Sequence, residues 1–337
     1  MKYFSKSLKK VNRLKMDLKN SKVINGIKLG ESISNNLKNY LLAKKTSLGL
    51  SYRQPLLKII QVGDDISSKI YIQNKIKQCE FIGIKGEYKK FPSDIAKSQL
   101  INEINQCNQD QLIDAIIIQL PLPKSLDPQE ILSVLSPEKD VDCLTPSSQG
   151  NFYQTNLVNN NFLLPPTALG VAEMLKLAIL YNNDIEAYFQ NNNPQKDLLE
   201  LSGYDIKVLG RGLTAGLPIS ILMQKYNGTV TICHSKTKNL ESYSKDADIL
   251  ITAIGKPKYI TREMVKENSI VIDVGINSNS AGETREVVGD VDFEDVVDKV
   301  KYITPVPGGV GRLTVVMLMK NVITAWEKSL NSKGNFS

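Results

Sequence analysis

Between the apolar run Ile206 to Leu209 and the segment Pro218 to Met223 the chain reads Gly210-Arg211-Gly212-Leu213-Thr214-Ala215-Gly216. Strand, glycine-rich turn and helix start in that order build an anion site. Glycines let the backbone approach a pyrophosphate, and the unpaired N–H groups and dipole of the helix favour its charge. The spacing, G-x-G-x-x-x-G, is one residue longer than the common dinucleotide fingerprint, so the turn taken alone also reads as a tight bend without ligand. About twenty residues further on, where an NAD site usually presents an acid to the ribose hydroxyls, the chain has His234-Ser235-Lys236-Thr237. With no acid there, Arg211, Ser235 and Lys236 suit charge-assisted bonds to a 2′-phosphate, which favours NADP and leaves NAD as the alternative. His234 joins them as a candidate, although a lone histidine is more often a surface or packed residue.

A second group lies upstream. Ser68, Tyr71 and Lys75 are spaced i, i+3 and i+7, so a helix through them carries all three on one face, with an aromatic ring and an ammonium pointing the same way. Periodicity alone favours a plainer reading, a half-buried tyrosine beside a solvated lysine.

Elements that could position these groups are visible as β-rich apolar runs at Leu57 to Val62, Ala115 to Leu120, Ile206 to Leu209, Thr229 to Cys233, Ile249 to Ile254 and Ile270 to Val274. Longer amphipathic stretches lie between several of them. Such alternation predicts an α/β protein with parallel sheets of the doubly wound type. The length of 337 residues allows two domains. The asparagine-rich run Tyr181 to Asp197 reads as a surface insertion without chemistry.

Composition excludes several classes of function. The formal charge of +7 is concentrated in residues 1–20, which hold seven Lys/Arg against Asp17 alone. The rest of the chain keeps 35 of the 42 basic and 34 of the 35 acidic residues, so its near-neutral balance argues against nucleic-acid binding. No apolar run approaches membrane-spanning length. Cys79, Cys107, Cys143 and Cys233 form no C-x-x-C pair and share the chain with a single histidine, so no metal site is expected and a reducing compartment fits. Phe4, Leu8, Val11 and Leu14 fall near helical spacing among the N-terminal lysines. The segment reads either as a mitochondrial transit peptide or as a cytosolic lysine-rich tail.

Taken together, Val62-Gly63-Asp64 with Ser68, Tyr71 and Lys75, then Gln119-Leu120-Pro121-Leu122-Pro123, then Pro137-Glu138-Lys139-Asp140-Val141-Asp142, resemble the methylenetetrahydrofolate dehydrogenase/cyclohydrolase family. Later segments agree in the same order: Pro165 to Gly170, Gly210 to Pro218, Val230 to Thr237, Ala253 to Pro257, Val271 to Asn277, Gly289-Asp290-Val291 and Thr304 to Gly311. The resemblance runs from about Ser21 to Leu330. It implies two α/β domains, each with a mainly parallel sheet, with the active site in the cleft between them. Residues 21–165, completed by a helix over 308–330, would bind folate, and 166–307 would form a Rossmann-like NAD(P)-binding domain. It implies oxidation of 5,10-methylenetetrahydrofolate to the methenyl cation with NADP, then hydrolysis to 10-formyltetrahydrofolate, by a homodimer.

The roles that the resemblance carries over begin with Lys75 as the central acid/base group, held in register with the reacting carbon by Gln119. Tyr71 would stack on the aminobenzoyl ring, Asp142 would bind donors on the pterin, and Ser68 would lie near the same pocket. Pro307, Gly308 and Gly309, in a loop that also holds Gly311, would pass close to substrate and nicotinamide. Gly210, Arg211, Gly212, Gly216, His234, Ser235, Lys236, Ala253, Gly255, Gly275 and Ile276 would hold the dinucleotide. The chain departs from the family pattern at Cys143, usually Gly, at Pro166, usually Cys, and at Ala168, usually Pro. It departs also at Gly212, usually Ser, and at Arg312-Leu313, usually Pro-Met. Cys143, Gly212 and Arg312 keep two alternatives open, a dehydrogenase with little cyclohydrolase activity and a silent folate- or NADP-binding homologue. With seven residues after Leu330, no appended formate-activating ligase activity is expected.

Overall fold

The structure, a computed structural model, describes residues 21–155, 162–190, 198–279 and 286–334. The basic segment 1–20, with the transit-peptide reading attached to it, and the asparagine-rich stretch 191–197 lie outside the described residues. The chain divides into two compact units, the first comprising Gly30–Pro166 and the chain from Thr314 onward, the second comprising 21–29 and Thr167–Leu313.

The first unit is built on three parallel strands, β1 (Leu56–Val62), β2 (Lys85–Phe91) and β3 (Ala115–Gln119), in the order β2-β1-β3. Its helices are α1 (Gly26–Leu48), which starts in the second unit, α2 (Ile66–Ile82), α3 (Lys97–Gln109), α4 (Pro128–Ser133) and α5 (Pro146–Gln154). β1 and β3 read as mainly apolar runs, interrupted in β1 by Lys58 and Gln61, because both faces of the sheet are covered. Leu57, Ile59, Ala115 and Ile117 pack with Ile72, Cys79 and Ile82 of α2. Leu56, Ile60, Ile116 and Ile118 pack with Leu100, Ile104 and Cys107 of α3. β2 was not anticipated. As an edge strand it leaves Lys85, Tyr88 and Lys90 exposed, so its sequence KGEYKKF carries no apolar run.

The second unit contains α6 (Pro166–Leu180), α7 (Ile185–Gln190), β4 (Asp205–Leu209), α8 (Gly216–Lys225), β5 (Thr229–Cys233), α9 (Leu240–Ser244), β6 (Ile249–Thr252) and β7 (Ile270–Asp273). An antiparallel hairpin of β8 (Asn277–Asn279) and β9 (Glu286–Val288), the short α10 (Phe293–Val296) and β10 (Tyr302–Ile303) complete it. Five parallel strands lie in the order β10-β7-β6-β4-β5. The order reverses at β4, flanked by β5 on one side and β6 on the other, and open sheets of this kind receive ligands outside the carboxyl ends of the strands at that point. Part of the insertion predicted at Tyr181 to Asp197 forms α7, where Tyr188 donates a hydrogen bond to the buried Glu173 and packs edge-on to Tyr181 at 5.2 Å.

The last helix, α11 (Val310–Gly334), runs past the end of the helix expected over 308–330 and joins the first unit from Thr314. Trp326, fully buried, meets Tyr52 edge-on at 5.8 Å. Arg53 binds the buried Asp114 through two contacts of 2.6 Å, and Ser329 donates to the same carboxylate at 2.7 Å.

The sequence reading grouped 21–29 and 308–313 with the first domain, and the structure assigns both to the second unit. The backbone explains this. Val23 bridges to Ile303, the Ile24 N–H donates to the Ile303 carbonyl at 2.8 Å, and Asn183 Nδ2 donates to the Val23 carbonyl at 2.9 Å. A β-carbon on Gly26 would lie 2.5 Å from the Gly309 carbonyl oxygen, so only glycine permits this approach.

Candidate active site

In the first unit the ends of β1 and β3 and the start of α2 converge. Asp65 caps α2 by accepting from the Ser68 N–H at 2.7 Å, and the helix stops at Gly83, whose φ of 98° suits glycine. Tyr71 and Lys75 follow one turn apart. Lys75 Nζ donates to Gln119 Oε1 at 3.2 Å and lies 3.7 Å from Asp142 Oδ2. Gln119 stands at the carboxyl end of β3 with its Nε2 donating to the Leu120 carbonyl at 2.8 Å, which turns Oε1 towards the ammonium. The lysine side chain is only 11% exposed and that of Asp142 23%, so the pair is held largely out of water and its attraction is little screened. Tyr71 is 37% exposed, and burial of the remainder pushes its phenol up. Ser68 is buried, its hydroxyl donating to Asp65 at 2.8 Å and contacting the Leu120 carbonyl at 3.4 Å, so it serves the start of the helix.

Two residues that sequence reasoning passed over hold Asp142 in place. Asp140, 1% exposed, accepts from the Leu144 and Thr145 N–H groups, and burial raises its carboxyl. Asn321 of α11, 3% exposed, donates from Nδ2 to the carbonyls of Val141 at 2.8 Å and Leu164 at 2.7 Å. Directly after Asp142 the chain turns left-handed at Cys143, with φ of 55°. Glycine makes that turn freely, and here a buried cysteine makes it, at a cost of about 1 kcal/mol. Burial also holds the Cys143 thiol well above its ordinary range, so it is an inert packing group.

In the second unit the glycine-rich turn follows β4. A β-carbon on Gly210 (φ 120°) would lie 2.2 Å from the Ala253 carbonyl oxygen, and one on Gly216 would lie 2.3 Å from the Gly210 carbonyl oxygen. Both glycines are therefore required by the turn itself, whereas Gly212 has open space around it. Arg211, Gly212, Ser235 and Lys236 are exposed. His234 is half-buried, and its Nδ1 accepts from the Lys236 N–H at 3.2 Å, so the imidazole shapes the turn that presents Ser235 and Lys236. Ala253 and Gly255 follow β6, and Gly275 and the half-exposed Ile276 follow β7. Pro307 is exposed, Gly308 has φ of 106°, and a β-carbon on Gly309 would lie 2.5 Å from the Pro305 carbonyl oxygen.

All four cysteines are buried and free, and no group of three His, Cys, Asp or Glu among the described residues could hold a metal ion. Among the described residues no helix is long and apolar enough to cross a membrane.

Comparisons with known proteins match both parts of the chain to one family, with bounds that differ from the structural units at 24–29 and 314–330. Residues 24–142 match the family model described as "Tetrahydrofolate dehydrogenase/cyclohydrolase, catalytic domain", and residues 195–330 match "Tetrahydrofolate dehydrogenase/cyclohydrolase, NAD(P)-binding domain". The bifunctional protein FolD of Rickettsia bellii is 42% identical over 305 residues, which cover 90% of this chain and 98% of the relative. The crystal structure of the FolD methylenetetrahydrofolate dehydrogenase/cyclohydrolase from Campylobacter jejuni superposes with a TM-score of 0.77 at 35% identity, covering 91% of this chain and 99% of that one. The Trypanosoma brucei enzyme, solved with NADP cofactor and inhibitor, gives a TM-score of 0.80 at 31% identity over 91% of this chain and 98% of its own.

Proposed function

This chain belongs to the tetrahydrofolate dehydrogenase/cyclohydrolase family, and from that premise we propose that it oxidises 5,10-methylenetetrahydrofolate with NADP and hydrolyses the methenyl product to 10-formyltetrahydrofolate. The observation that carries the reading is the meeting of Lys75, Gln119 and Asp142, three polar ends on three separate segments. A cationic one-carbon intermediate and an attacking water need such a group: a proton-transferring amine, an amide that fixes it and a carboxylate for pterin donors.

The residues of the second unit fit a 2′-phosphorylated dinucleotide. The Gly210 to Gly216 turn holds its backbone closer than any β-carbon would allow, and Arg211, Ser235 and Lys236 are exposed beside it with no acid among them. The bound cofactor supplies the acceptor for the hydride that leaves the methylene carbon. In the hydrolytic step, water addition to the methenyl carbon releases a proton, and the opening of the C–N5 bond moves the hydroxyl proton to N5. Lys75 Nζ is the group placed to relay it. Tyr71 stacks on the aminobenzoyl ring, Gln119 keeps Lys75 in register, and Asp142 accepts from the pterin. Pro307, Gly308 and Gly309 line the substrate's path.

The test follows absorbance of the methenyl product with NADP or NAD, and separately the loss of added methenyl compound against its spontaneous hydrolysis. Turnover with NADP and accelerated hydrolysis support the reading. NAD preference overturns the cofactor assignment, and silence in both assays overturns the activity. The partners in this reading are tetrahydrofolate derivatives and a second copy of the chain, with neither nucleic acid nor a membrane, and sedimentation tests the homodimer. The compartment is mitochondrial or cytoplasmic, which imaging of fusions with and without residues 1–20 decides.

A further inference from the structure

Two buried carboxylates stand at the carboxyl ends of β6 and β7 without a reactive task. Asp290, fully buried, accepts from the Ile254 and Gly255 N–H groups at 2.7 and 3.3 Å through Oδ2, and from the Lys256 N–H and Asn277 Nδ2 at 2.9 Å each through Oδ1. Asp273, 3% exposed, accepts through Oδ1 from the Gly275 N–H at 2.9 Å, the Asp290 N–H at 3.1 Å and Thr252 Oγ1 at 3.2 Å. Its Oδ2 accepts from the Val291 N–H at 2.9 Å. The Asp273 N–H in turn donates to Thr304 Oγ1 at 2.7 Å. Neither carboxylate has an ion-pair partner among the described residues.

The two groups are seated reciprocally. A β-carbon on Gly275 would lie 2.3 Å from Asp290 Cγ, and one on Gly289 would lie 1.9 Å from Asp273 Oδ2. Each carboxylate thus occupies the space over the glycine that neighbours the other. Burying two carboxylates side by side without a counter-ion is unfavourable, and apolar side chains would close the end of a sheet at less cost. What the carboxylates give in return is specific geometry, because eight donors on three segments are fixed by two rigid acceptors. The 253–257 segment so fixed also supplies the carbonyl that lies over Gly210, tying the arrangement to the glycine-rich turn.

We propose that Asp273 and Asp290 are positioning residues for the nicotinamide cofactor, forming a carboxylate clasp that holds segments 253–257, 274–277 and 289–291 in the shape that receives the dinucleotide. The clasp acts through backbone and touches neither substrate nor cofactor. This inference rests on the assignment of the second unit as the NADP site.

The test is Asp290→Asn, which keeps the shape and loses one acceptor, with Asn277→Ala as a milder variant that removes a single donor to the same carboxylate. NADP affinity is read by calorimetry, and dehydrogenase and cyclohydrolase rates are read on the same preparations. The clasp predicts at least a tenfold weaker dissociation constant for NADP and a raised KM for it in Asp290→Asn. Hydrolysis of the methenyl compound, which consumes no nucleotide, stays within about twofold in both variants, and Asn277→Ala falls between wild type and Asp290→Asn. Equal loss of both activities in step with thermal stability, or unchanged NADP affinity in Asp290→Asn, overturns it. Binding alone decides the matter if the wild-type protein takes up NADP without turning over folate, an outcome that refutes the proposed reaction and leaves the clasp testable.

Discussion

The two units use charge in opposite ways. In the first, Lys75, Gln119 and Asp142 bring their polar ends together at the carboxyl end of β3, and in the function proposed above it is the side chains themselves that carry the chemistry. In the second, Asp273 and Asp290 are sunk beneath the segments they bond, the binding surface proposed there is mainly backbone, and the cations Arg211 and Lys236 are exposed. A site made of side chains is destroyed by removing one group. A site made of backbone is degraded by changing what shapes it, and the two should therefore fail differently.

The largest expected effect tests the first half of that contrast. Lys75→Met should lower methenyl hydrolysis by ~10²–10⁴, towards the spontaneous rate, while calorimetric affinity for NADP stays unchanged. A mutant that still hydrolyses would remove the acid/base role from Lys75. Next is a pH effect on stability in the second unit. Burial pushes the Asp273 carboxyl from its ordinary 3.8 up to about 6, so the folded state holds that proton more tightly than the unfolded chain does. The stability that this group contributes is fully present below about pH 4 and is lost as pH rises to about 6. Urea unfolding should show wild type losing up to about 3 kcal/mol relative to Asp273→Asn across that window. Parallel pH curves for the two proteins would refute it.

A smaller change should follow Arg211→Ala, with KM for NADP raised roughly tenfold and KM for NAD nearly constant, as the loss of one charge-assisted bond predicts. An unchanged NADP-to-NAD ratio would place the 2′-phosphate elsewhere. The smallest is Gly212→Ser, which meets open space and should alter unfolding free energy by no more than about 0.5 kcal/mol. A larger loss would mean that the turn closes around this position.

Much of the frame was legible in the sequence. The apolar runs that became β1, β3, β4, β5, β6 and β7 were found to within a residue or two, because runs of aliphatic and β-branched residues mark them, whether fully buried as in β6 and β7 or at an edge as in β5. The edge strand β2 escaped, since none of its residues is fully buried and it carries no apolar run, and β10 is only two residues long. The spacing of Tyr71 and Lys75 gave their shared face on α2, but nothing local in the sequence said that Gln119 and Asp142 would meet it. That contact depends on β3 lying beside β1 and on the left-handed turn at Cys143. Asp140, Asn321, Asp273 and Asp290 stood in plain view as residue types, and their work was invisible because every partner is far along the chain or is backbone.

The sequence by itself determined the α/β class, the order of the strands along the chain, the glycine-rich turn with its cationic neighbours, and the shared helix face of Tyr71 and Lys75. Each is written in local periodicity, spacing or motif. Tertiary structure alone decided that Ser68 and His234 shape the backbone around them, that Gly210 and Gly216 are demanded by a carbonyl 2.2–2.3 Å from any β-carbon while Gly212 is free, and that two aspartates share each other's glycines. The physical reason is the same throughout. Periodicity reports which side of an element is buried, whereas the partner of a buried polar group is set by which distant segments the fold brings within hydrogen-bond range.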